Sequence, residues 1–353
     1  MSTHSYDLDL IVFIGRFQIP HHSHQQIFET ALRGARHVLI LVGSSNVTRS
    51  IKNPFTFAER KVMIESSLSK HLSRVTIQPL SDYPYMESMW LKGVQEKAQH
   101  TAEITQTDPK RIGIIGHLKD ATSYYIKSFP QWRRLLLPNF DGRSATELRT
   151  LLLSPAMQGH GNEMMLRASV PEPVFDFLQA FRQMPQYANL VEEYEFIRTY
   201  REPYEALPHK PIFVTVDAVV TMAGHILVTE RQASYGKGQL ALPGSFLQSG
   251  ERFHEAVMRV LRDEKRLKIP EPVLRSAIAA APVRVIDDPN RSLRGHTVTH
   301  AYHLDLQGDT LAEVRAGRNT SRPSWMSMAD FYALDGRMFE DHWHIPPLFL
   351  GMA

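Results

Sequence analysis

The chain has 353 residues, of which 43% are hydrophobic and 22% charged, which is typical of a soluble globular protein and long enough for two domains. It has no cysteine, which excludes disulfides, thiol nucleophiles and cysteine-ligated zinc, and its net charge of +3 is dispersed, so no nucleic-acid partner is indicated. We see no signal peptide and no segment able to span a bilayer, and therefore expect a cytoplasmic protein with no membrane partner.

The first predicted elements are a strand and a helix joined by a loop that contains several histidines. The apolar run 8–14 predicts a buried strand, and Gly15 after it permits a tight turn close to a ligand. The N–H groups at the start of the following helix suit a phosphate. His21 and His24 face the same way on a first helical turn, and Arg16 adds a donor. The pattern predicts a polyphosphate-binding loop; an ordinary surface loop is the alternative.

The rest of the first half alternates between predicted strands and helices. Further strands are predicted at 37–42, 75–80, 112–115 and 134–137, and helices at 25–32, 57–68 and 86–100. Thr56 and Glu59 have the spacing of a capping box. This alternation implies a parallel sheet, which binds ligands at the carboxyl ends of its strands. Gly15, Gly43 and Gly116 follow three of these strands, so we expect them at one edge.

Four segments of this half resemble the nucleotidyltransferase superfamily, especially its nicotinamide-nucleotide adenylyltransferase branch. They are 15–24 (G-R-F-Q-P-x-H-x-G-H in the family), 53–60 (N-P-[FW]-T-x-x-E-R), 116–120 (G-H-x-K-D) and 144–149 (S-x-T-x-[IL]-R). The first segment departs from the family pattern twice, since its proline is displaced to Pro20 and Ser23 replaces a glycine. The four segments occur in the family's order over residues 8–150.

The resemblance implies a Rossmann-like α/β domain that transfers AMP from ATP to nicotinamide mononucleotide, giving NAD and pyrophosphate, with Mg²⁺ on the phosphates. Since the substrate phosphate is the nucleophile, catalysis would depend on positioning and charge stabilisation. The implied catalytic residues are Arg16, His21, His24 and Arg149. The implied contacts to ATP or the mononucleotide are Gly15, Phe17, Gln18, Asn53, Phe55, Gly116, His117, Lys119, Asp120, Ser144 and Thr146. Trp90 is a candidate to stack on the nicotinamide ring, with a core position as the alternative.

The second half changes from helical to strand-rich sequence. Residues 170–200 are predicted to be helical and interrupted by prolines, and a linker follows at 203–211. Beyond it, strands are predicted at 212–220, 226–230, 283–285 and 297–304, with a helix at 253–267. We therefore predict a first domain at 1–202, with its core at 8–150 and a helical extension at 170–200, and then an α+β domain at 212–353.

The centre of the second domain resembles the Nudix box, G-x5-E-x7-R-E-U-x-E-E-x-G-U. Glu251 and Arg259 match the box, whereas its first glycine is Ser245 and its closing glycine is Arg266. The resemblance covers roughly residues 210–353, so the order of the domains resembles bacterial proteins that join an adenylyltransferase to an ADP-ribose pyrophosphatase.

The part of the Nudix box that binds metal is depleted in this sequence. Val260 stands where the first glutamate after the arginine is expected, Asp263 is a shortened glutamate, and Glu264 is intact. Asp263 and Glu264 are the remaining candidate metal ligands, and Glu255 is a possible substitute. We expect weak or no hydrolysis of ADP-ribose. The alternatives are an active ADP-ribose pyrophosphatase, or a non-catalytic module that senses nucleotides or forms a homodimer through the Nudix domain.

Overall fold

The computed structural model describes most of the chain, in five stretches. They are residues 6–117, 125–138, 144–157, 159–317 and 322–351, so the candidate contacts Lys119 and Asp120 lie outside the described residues. The chain divides into two compact units, Met1–Val191 and Glu192–Ala353. In the described stretches, every helix is too short or too polar to cross a bilayer.

The first unit contains a five-stranded sheet whose neighbouring strands all run parallel. Its strands are β1 (Leu8–Gly15), β2 (Ala35–Val42), β3 (Val75–Pro79), β4 (Ile112–His117) and β5 (Arg133–Leu137). In space the order is β3-β2-β1-β4-β5. The helices are α1 (His22–Gly34), α2 (Phe57–Ser67), α3 (Glu87–Ile104), α4 (Ala145–Leu153), α5 (His160–Arg167), α6 (Glu172–Phe181) and α7 (Pro185–Glu205). The division between the two units falls within α7.

Both faces of this sheet are covered, which explains why β1 is continuously apolar from Leu10 to Ile14. Ile11 and Phe13 belong to a core cluster that includes Phe28 of α1. Val12, on the opposite face, belongs to a second cluster that includes Val94 of α3. Successive residues of a strand point to opposite faces, so a strand buried on both sides needs a continuous apolar run.

The carboxyl ends of β1, β2 and β4 lie together at one edge of the sheet, as the sequence predicts. Gly15 is level with Val42, and the Gly43 N–H donates a hydrogen bond to the Gly15 carbonyl at 2.9 Å. On the other side, Phe13 is level with Ile115. The order of the strands reverses direction around β1, and in open α/β sheets this is the point where a crevice for a ligand forms.

The second unit is organised around a mixed sheet. Its longest path is ordered β10-β11-β6-β7-β12, with β8 paired to β7 and β9 to β6. The strands are β6 (Phe213–Met222), β7 (His225–Glu230), β8 (Leu240–Ala241), β9 (Gly244–Phe246), β10 (Val283–Ile286), β11 (Thr297–Leu306) and β12 (Arg322–Ser327). The helices are α8 (Phe253–Arg259), α9 (Glu271–Ala280), α10 (Met328–Ala333) and α11 (Pro347–Leu350). A Rossmann-like α/β domain followed by an α+β domain is therefore confirmed.

Three local features compare directly with the predicted elements. Thr56 caps α2 as its spacing predicts, since its Oγ1 accepts the Glu59 N–H at 3.3 Å. The helix α7 continues through Pro203 to Glu205, so the first residues of the predicted linker are helical. The predicted helix 253–267 instead widens after α8 into a π turn, Val260–Glu264, which ends where the Lys265 N–H bonds to the Val260 carbonyl.

Candidate functional site

A cavity of about 330 Å³ lies at the carboxyl ends of β1, β2 and β4. Its lining includes five of the candidate residues from the sequence, which are Gly15, Arg16, His24, Trp90 and His117. Ser44, Asp82 and Tyr125 complete much of the remaining wall. The cavity therefore combines cationic, anionic and aromatic groups, which suits a ligand that has a ring and a phosphate.

His21 and His24 lie at the start of α1, and their rings contact each other. Their ring centroids are 3.9 Å apart, and the His21 N–H donates to Nδ1 of His24 at 3.3 Å. Because Nδ1 of His24 accepts this bond, the proton of its neutral ring belongs on Nε2. His24 thereby offers an N–H donor within the cavity lining, at the positive end of the α1 dipole.

The ring of Phe17 packs against the loop that carries these histidines. This residue has a left-handed φ of 51°, and its ring packs against Phe13 at 5.3 Å and His24 at 4.9 Å between centroids. A Cβ atom on Gly15 would lie 2.7 Å from the Phe17 ring. Gly15 is therefore required because the aromatic ring folds back onto the backbone.

Arg149 connects α4 to the first loop. It donates from Nη1 to the Gln18 carbonyl at 2.7 Å and from Nη2 to Oγ1 of Thr146 at 2.9 Å. Burial, with a further contribution from Arg16, lowers the pKa of Arg149 to about 10, so it stays charged at neutral pH. Ser144 caps the same helix, with its Oγ accepting the Glu147 N–H at 3.3 Å.

Arg60 has an organising role that sequence analysis did not assign, although the residue ends a recognised motif. It is buried, and it donates from Nη1 to the carbonyls of Arg16 and Gly43, both at 2.6 Å. Its Nη2 donates to the Ser44 carbonyl at 3.0 Å. Burial lowers the pKa of Arg60 to about 10, which still leaves it cationic. One side chain thus satisfies carbonyl groups at the ends of two strands.

Asp82 is a second cavity residue that sequence analysis missed. Its Oδ1 accepts the Ser44 N–H at 3.0 Å and its Oδ2 accepts the Ser44 hydroxyl at 2.5 Å. The Oδ1 atom of Asn46 accepts the Asp82 N–H at 2.8 Å, so a further hydrogen bond joins the loop after β2 to the loop after β3. The available signal was an acidic residue two positions after the predicted strand 75–80, at the edge where the glycines were expected.

The remaining predicted contacts occupy different surroundings. His117 lines the cavity, with its Nδ1 3.2 Å from the Leu137 carbonyl. Trp90 lies at the wall of the cavity and also packs on the core, with its ring 6.0 Å from that of Tyr125. Gln18 and Phe55 are buried and are not part of the described cavity lining.

In the second unit, Arg259 joins the two halves of the Nudix-like segment. Its Nε and Nη2 donate to both carboxylate oxygens of Glu251, at 2.7 and 2.9 Å. Its Nη1 donates to Glu264 at 2.6 Å, and its Nη2 also reaches the Phe246 carbonyl at 3.0 Å. The only intact glutamate of the predicted metal pair is therefore engaged by an arginine.

Two substituted box positions have clear structural surroundings. Val260 is 1% exposed and belongs to the core cluster of this unit, beside Val257 and Leu261. Arg266, in place of the closing glycine, has a left-handed φ of 44°. The backbone thus keeps the conformation that favours glycine although the residue has changed.

The carboxylates of this segment do not fit a divalent cation site. Asp263 is exposed, and Glu255 accepts the Arg252 N–H at 2.8 Å as part of a helix cap. Among the residues that the structure describes, no group of three or more histidine, aspartate or glutamate side chains is arranged to hold a metal. Such a cation needs several oxygen ligands converging on one point.

A buried ionic group lies beside the Nudix-like loop and was also missed. Arg291 makes a bidentate pair with Asp341, with both bonds at 2.8 Å, and lies 3.9 Å from Asp217. A Cβ atom on Gly244 would be 2.0 Å from Oδ1 of Asp217. The loop glycine is therefore required for the close approach of a buried carboxylate.

Comparison with known proteins assigns both units. A cytidylyltransferase-like family model matches residues 12–117, and a NUDIX domain model matches residues 211–349. The chain is 32% identical over 191 residues to the nicotinamide/nicotinic acid mononucleotide adenylyltransferase of Acinetobacter baylyi, covering 54% of this chain and 95% of that protein. It is 30% identical over 115 residues to the ADP-ribose pyrophosphatase of Methanocaldococcus jannaschii, covering 33% of this chain and 62% of the relative.

Solved structures match nearly the whole chain. One of them is a bifunctional NMN adenylyltransferase/ADP-ribose pyrophosphatase from Francisella tularensis, crystallised with AMP and a manganese ion. The two chains share 33% sequence identity with a TM-score of 0.87, over 97% of this chain and 98% of the other. The protein therefore belongs to the family of bifunctional NMN adenylyltransferase/ADP-ribose pyrophosphatases.

Proposed function

We propose that the first unit transfers the adenylyl group of ATP to nicotinamide mononucleotide, giving NAD and pyrophosphate. The observation that carries this proposal is the meeting of Arg16, His24 and His117 with Trp90 in one cavity at the switch point of a parallel sheet. The cavity lies in the unit whose residues 12–117 match the cytidylyltransferase-like family model. It offers the cationic side chain of Arg16 and imidazole donors for phosphates, and an aromatic wall for a base.

In this proposal the protein acts by positioning and by stabilising charge. The mononucleotide phosphate attacks the α-phosphorus of ATP, and pyrophosphate leaves. The Nε2–H of His24 donates to a phosphate oxygen beside the positive end of the α1 dipole, and Arg16 and Arg149 offset the negative charge that develops. Both the helix N-terminus and the Arg149 guanidinium are held in place before substrate arrives, so little reorganisation is required.

We propose that Mg²⁺ enters this site bound to ATP. Asp82 is the only acidic residue among the described lining residues of the cavity, and it is already bonded to Ser44. The described residues thus offer no set of carboxylates for a cation of their own. When bound, the cation neutralises phosphate charge.

The test is an assay of the purified full chain with ATP, nicotinamide mononucleotide and Mg²⁺. We expect NAD and pyrophosphate in equal amounts, and no product when either substrate or the cation is left out. A folded protein that binds ATP and forms no NAD would contradict the proposal.

We further infer that the second unit hydrolyses ADP-ribose weakly or not at all. Support comes from Val260, which is buried in the apolar core where the box has a glutamate, and from Arg259, which is bonded to Glu264. An arginine at 2.6 Å competes with a cation for the same carboxylate oxygen. This inference does not concern the adenylyltransferase activity proposed for the first unit.

This inference is tested by incubating the full chain with ADP-ribose and either Mg²⁺ or Mn²⁺, and measuring AMP and ribose phosphate. The pyrophosphatase of Methanocaldococcus jannaschii serves as the positive control. We expect a rate at least about a hundredfold below the control, as for an enzyme lacking a catalytic charge. A comparable metal-dependent rate would overturn the inference and point to Glu255 as a substitute ligand.

We also propose that the two functions reside in residues 1–202 and 212–353, with 203–211 as the linker. Because α7 extends to Glu205, a shortened chain should end after this residue so that the helix stays complete. We expect that protein to keep adenylyltransferase activity. Aggregation or loss of NAD formation would show that the first domain depends on residues beyond α7.

A further inference from the structure

Phe17 has an unfavourable backbone conformation that brings its ring back over the end of β1. Its φ of 51° lies in the left-handed region, which is strained for a residue with a Cβ atom. The Cζ atom of the ring lies 2.7 Å from the position that a Cβ on Gly15 would occupy. Strain of this kind is concentrated at functional sites and persists only where the surrounding contacts maintain it. The contacts of the ring therefore bear on its function.

The ring of Phe17 belongs to a group of aromatic rings that joins β1 to α1. It meets Phe13 of β1 edge to face, with 5.3 Å between centroids, and lies 5.6 Å from the ring of Phe28 of α1. It also meets the imidazole of His24 edge to face, at 4.9 Å and an interplanar angle of 63°. Aromatic pairs favour this arrangement. One side of the imidazole therefore packs against a fixed ring.

The other contacts of this imidazole come from His21. The His21 N–H donates to Nδ1 of His24, and the two ring centroids are 3.9 Å apart. At 3.3 Å the hydrogen bond is long, so it restrains the direction of the imidazole only weakly. Packing against neighbouring rings must supply much of the remaining orientation, and Phe17 provides one of these rings.

Phe17 and His24 differ in their access to the cavity. Phe17 is 1% exposed and is not among the described residues that line the cavity, whereas His24 is one of the lining residues. A ligand in the cavity would therefore touch the imidazole of His24 and not the ring of Phe17. Phe17 can influence chemistry in the cavity only through the groups that it packs against.

We propose that Phe17 is a positioning residue that holds the imidazole of His24 with its Nε2–H directed at a phosphate of the bound nucleotide. The proposal rests on the proposed adenylyltransferase function and extends it to a residue that does not touch substrate. A donor stabilises developing charge most strongly when its direction is fixed before the reaction begins. Without the Phe17 ring the imidazole could rotate, and the donor would be misplaced although it is still present.

The experiment measures kcat and KM for Phe17→Leu and Phe28→Leu, each alone and combined with His24→Ala. Leucine retains a Cβ atom, so Phe17→Leu removes the ring and leaves the backbone strain. We expect Phe17→Leu to lower kcat at least about tenfold with little change in KM, since misplacing a catalytic group by about 1 Å costs that much or more. Phe28→Leu is the matched control, because it removes an equally buried ring from the same core cluster. It should lower stability to a similar extent and leave kcat nearly unchanged.

The combined variants separate positioning from a general structural role. In a protein that already carries His24→Ala, Phe17→Leu should lower kcat hardly any further, because its effect passes through the imidazole. A merely structural role predicts that the two losses multiply. NMR of the His24 ring protons, assigned from their absence in His24→Ala, gives a second readout. We expect these signals to shift more in Phe17→Leu than in Phe28→Leu, since an adjacent aromatic ring alters the local magnetic field.

Two kinetic results would overturn the proposal. One is a full multiplication of the losses in the combined variant, and the other is an equal fall in kcat in Phe28→Leu. If the unmodified protein forms no NAD, the adenylyltransferase proposal itself fails. The NMR signals then test the positioning separately, and His24 signals that are unchanged in Phe17→Leu would show that Phe17 does not hold the imidazole.

Discussion

Gln18 and Phe55 bind each other through two hydrogen bonds although 37 residues separate them in the chain. The Gln18 side chain donates from Nε2 to the Phe55 carbonyl at 2.8 Å, and its Oε1 accepts the Phe55 N–H at 2.9 Å. Both residues are buried, so water does not replace either bond. Two segments that resemble substrate-binding motifs are thereby fastened to each other, and Arg149 joins the same point through the Gln18 carbonyl.

Replacing Gln18 with Leu should lower the stability of the first unit. The change leaves the N–H and the carbonyl of Phe55 buried without partners, and we expect a loss of about 3 kcal/mol. Native-state hydrogen exchange of the β1 amides measures this loss. Gln26→Leu, an exposed position on α1, is the control and should change the exchange little. Equal protection in both variants would show that the pair contributes nothing to stability.

Replacing His24 with Ala should lower kcat for NAD formation by about a hundredfold or more, because a preorganised donor to the phosphates is lost. His22 lies on the same turn and is exposed, so His22→Ala is the matched control and should retain nearly full activity. Steady-state assays with saturating ATP measure both. If a folded His24→Ala protein kept its full kcat, the role assigned to this histidine would be wrong.

Replacing Arg266 with Gly should stabilise the second unit by about 1 kcal/mol, because glycine adopts the left-handed conformation without the clash of a Cβ atom. The gain in stability is measured as a rise in the urea concentration at the midpoint of unfolding. Hydrogen exchange of the β6 amides monitors the unfolding of the second unit. Lys268→Gly, at an exposed residue without a left-handed φ, should lower the midpoint instead. A lower midpoint for Arg266→Gly would indicate that contacts of the arginine outweigh its backbone strain.

Restoring the box with Val260→Glu should not by itself restore hydrolysis of ADP-ribose. Val260 packs in the apolar core, so the new carboxylate would have to be buried without a partner, at a cost of several kcal/mol. We expect reduced thermal stability of the second unit and no increase in AMP release. Asp263→Glu, at an exposed position, is the control and should leave stability unchanged. A gain of hydrolysis in Val260→Glu would show that the side chain reaches the surface.

The second unit should lose stability as the pH falls below about 6.5. Burial lowers the pKa of His342 from its ordinary value of 6.5, and its Nδ1 accepts the Leu242 N–H at 3.0 Å. Below pH 6.5 the unfolded chain therefore binds a proton that the folded chain excludes, so acid favours unfolding. In His342→Asn, which keeps an acceptor but does not titrate, the difference in unfolding free energy between pH 7.5 and 5.5 should shrink. An unchanged difference would assign the effect to other groups.

Local patterns in the sequence were sufficient to predict the architecture. The apolar run of β1, the capping pair of Thr56 and Glu59, and the glycines after three strands are signals encoded within a few residues. Because backbone geometry and burial act on those same residues, the parallel sheet and its ligand edge followed from the chain alone. The damaged positions of the Nudix box, such as Val260 and Arg266, were equally visible.

The partners of the side chains were decided only by the tertiary structure. Asp82 accepts hydrogen bonds from Ser44, 38 positions away in the chain, and Arg60 donates to carbonyl groups at the ends of two strands. No local spacing in the sequence indicates either contact. Gln18 and Phe55 were predicted to contact substrate, and only the fold shows that their polar groups bond to each other. A buried polar group must find a partner wherever the packing brings one, and that choice depends on the meeting of distant segments rather than on the residue itself.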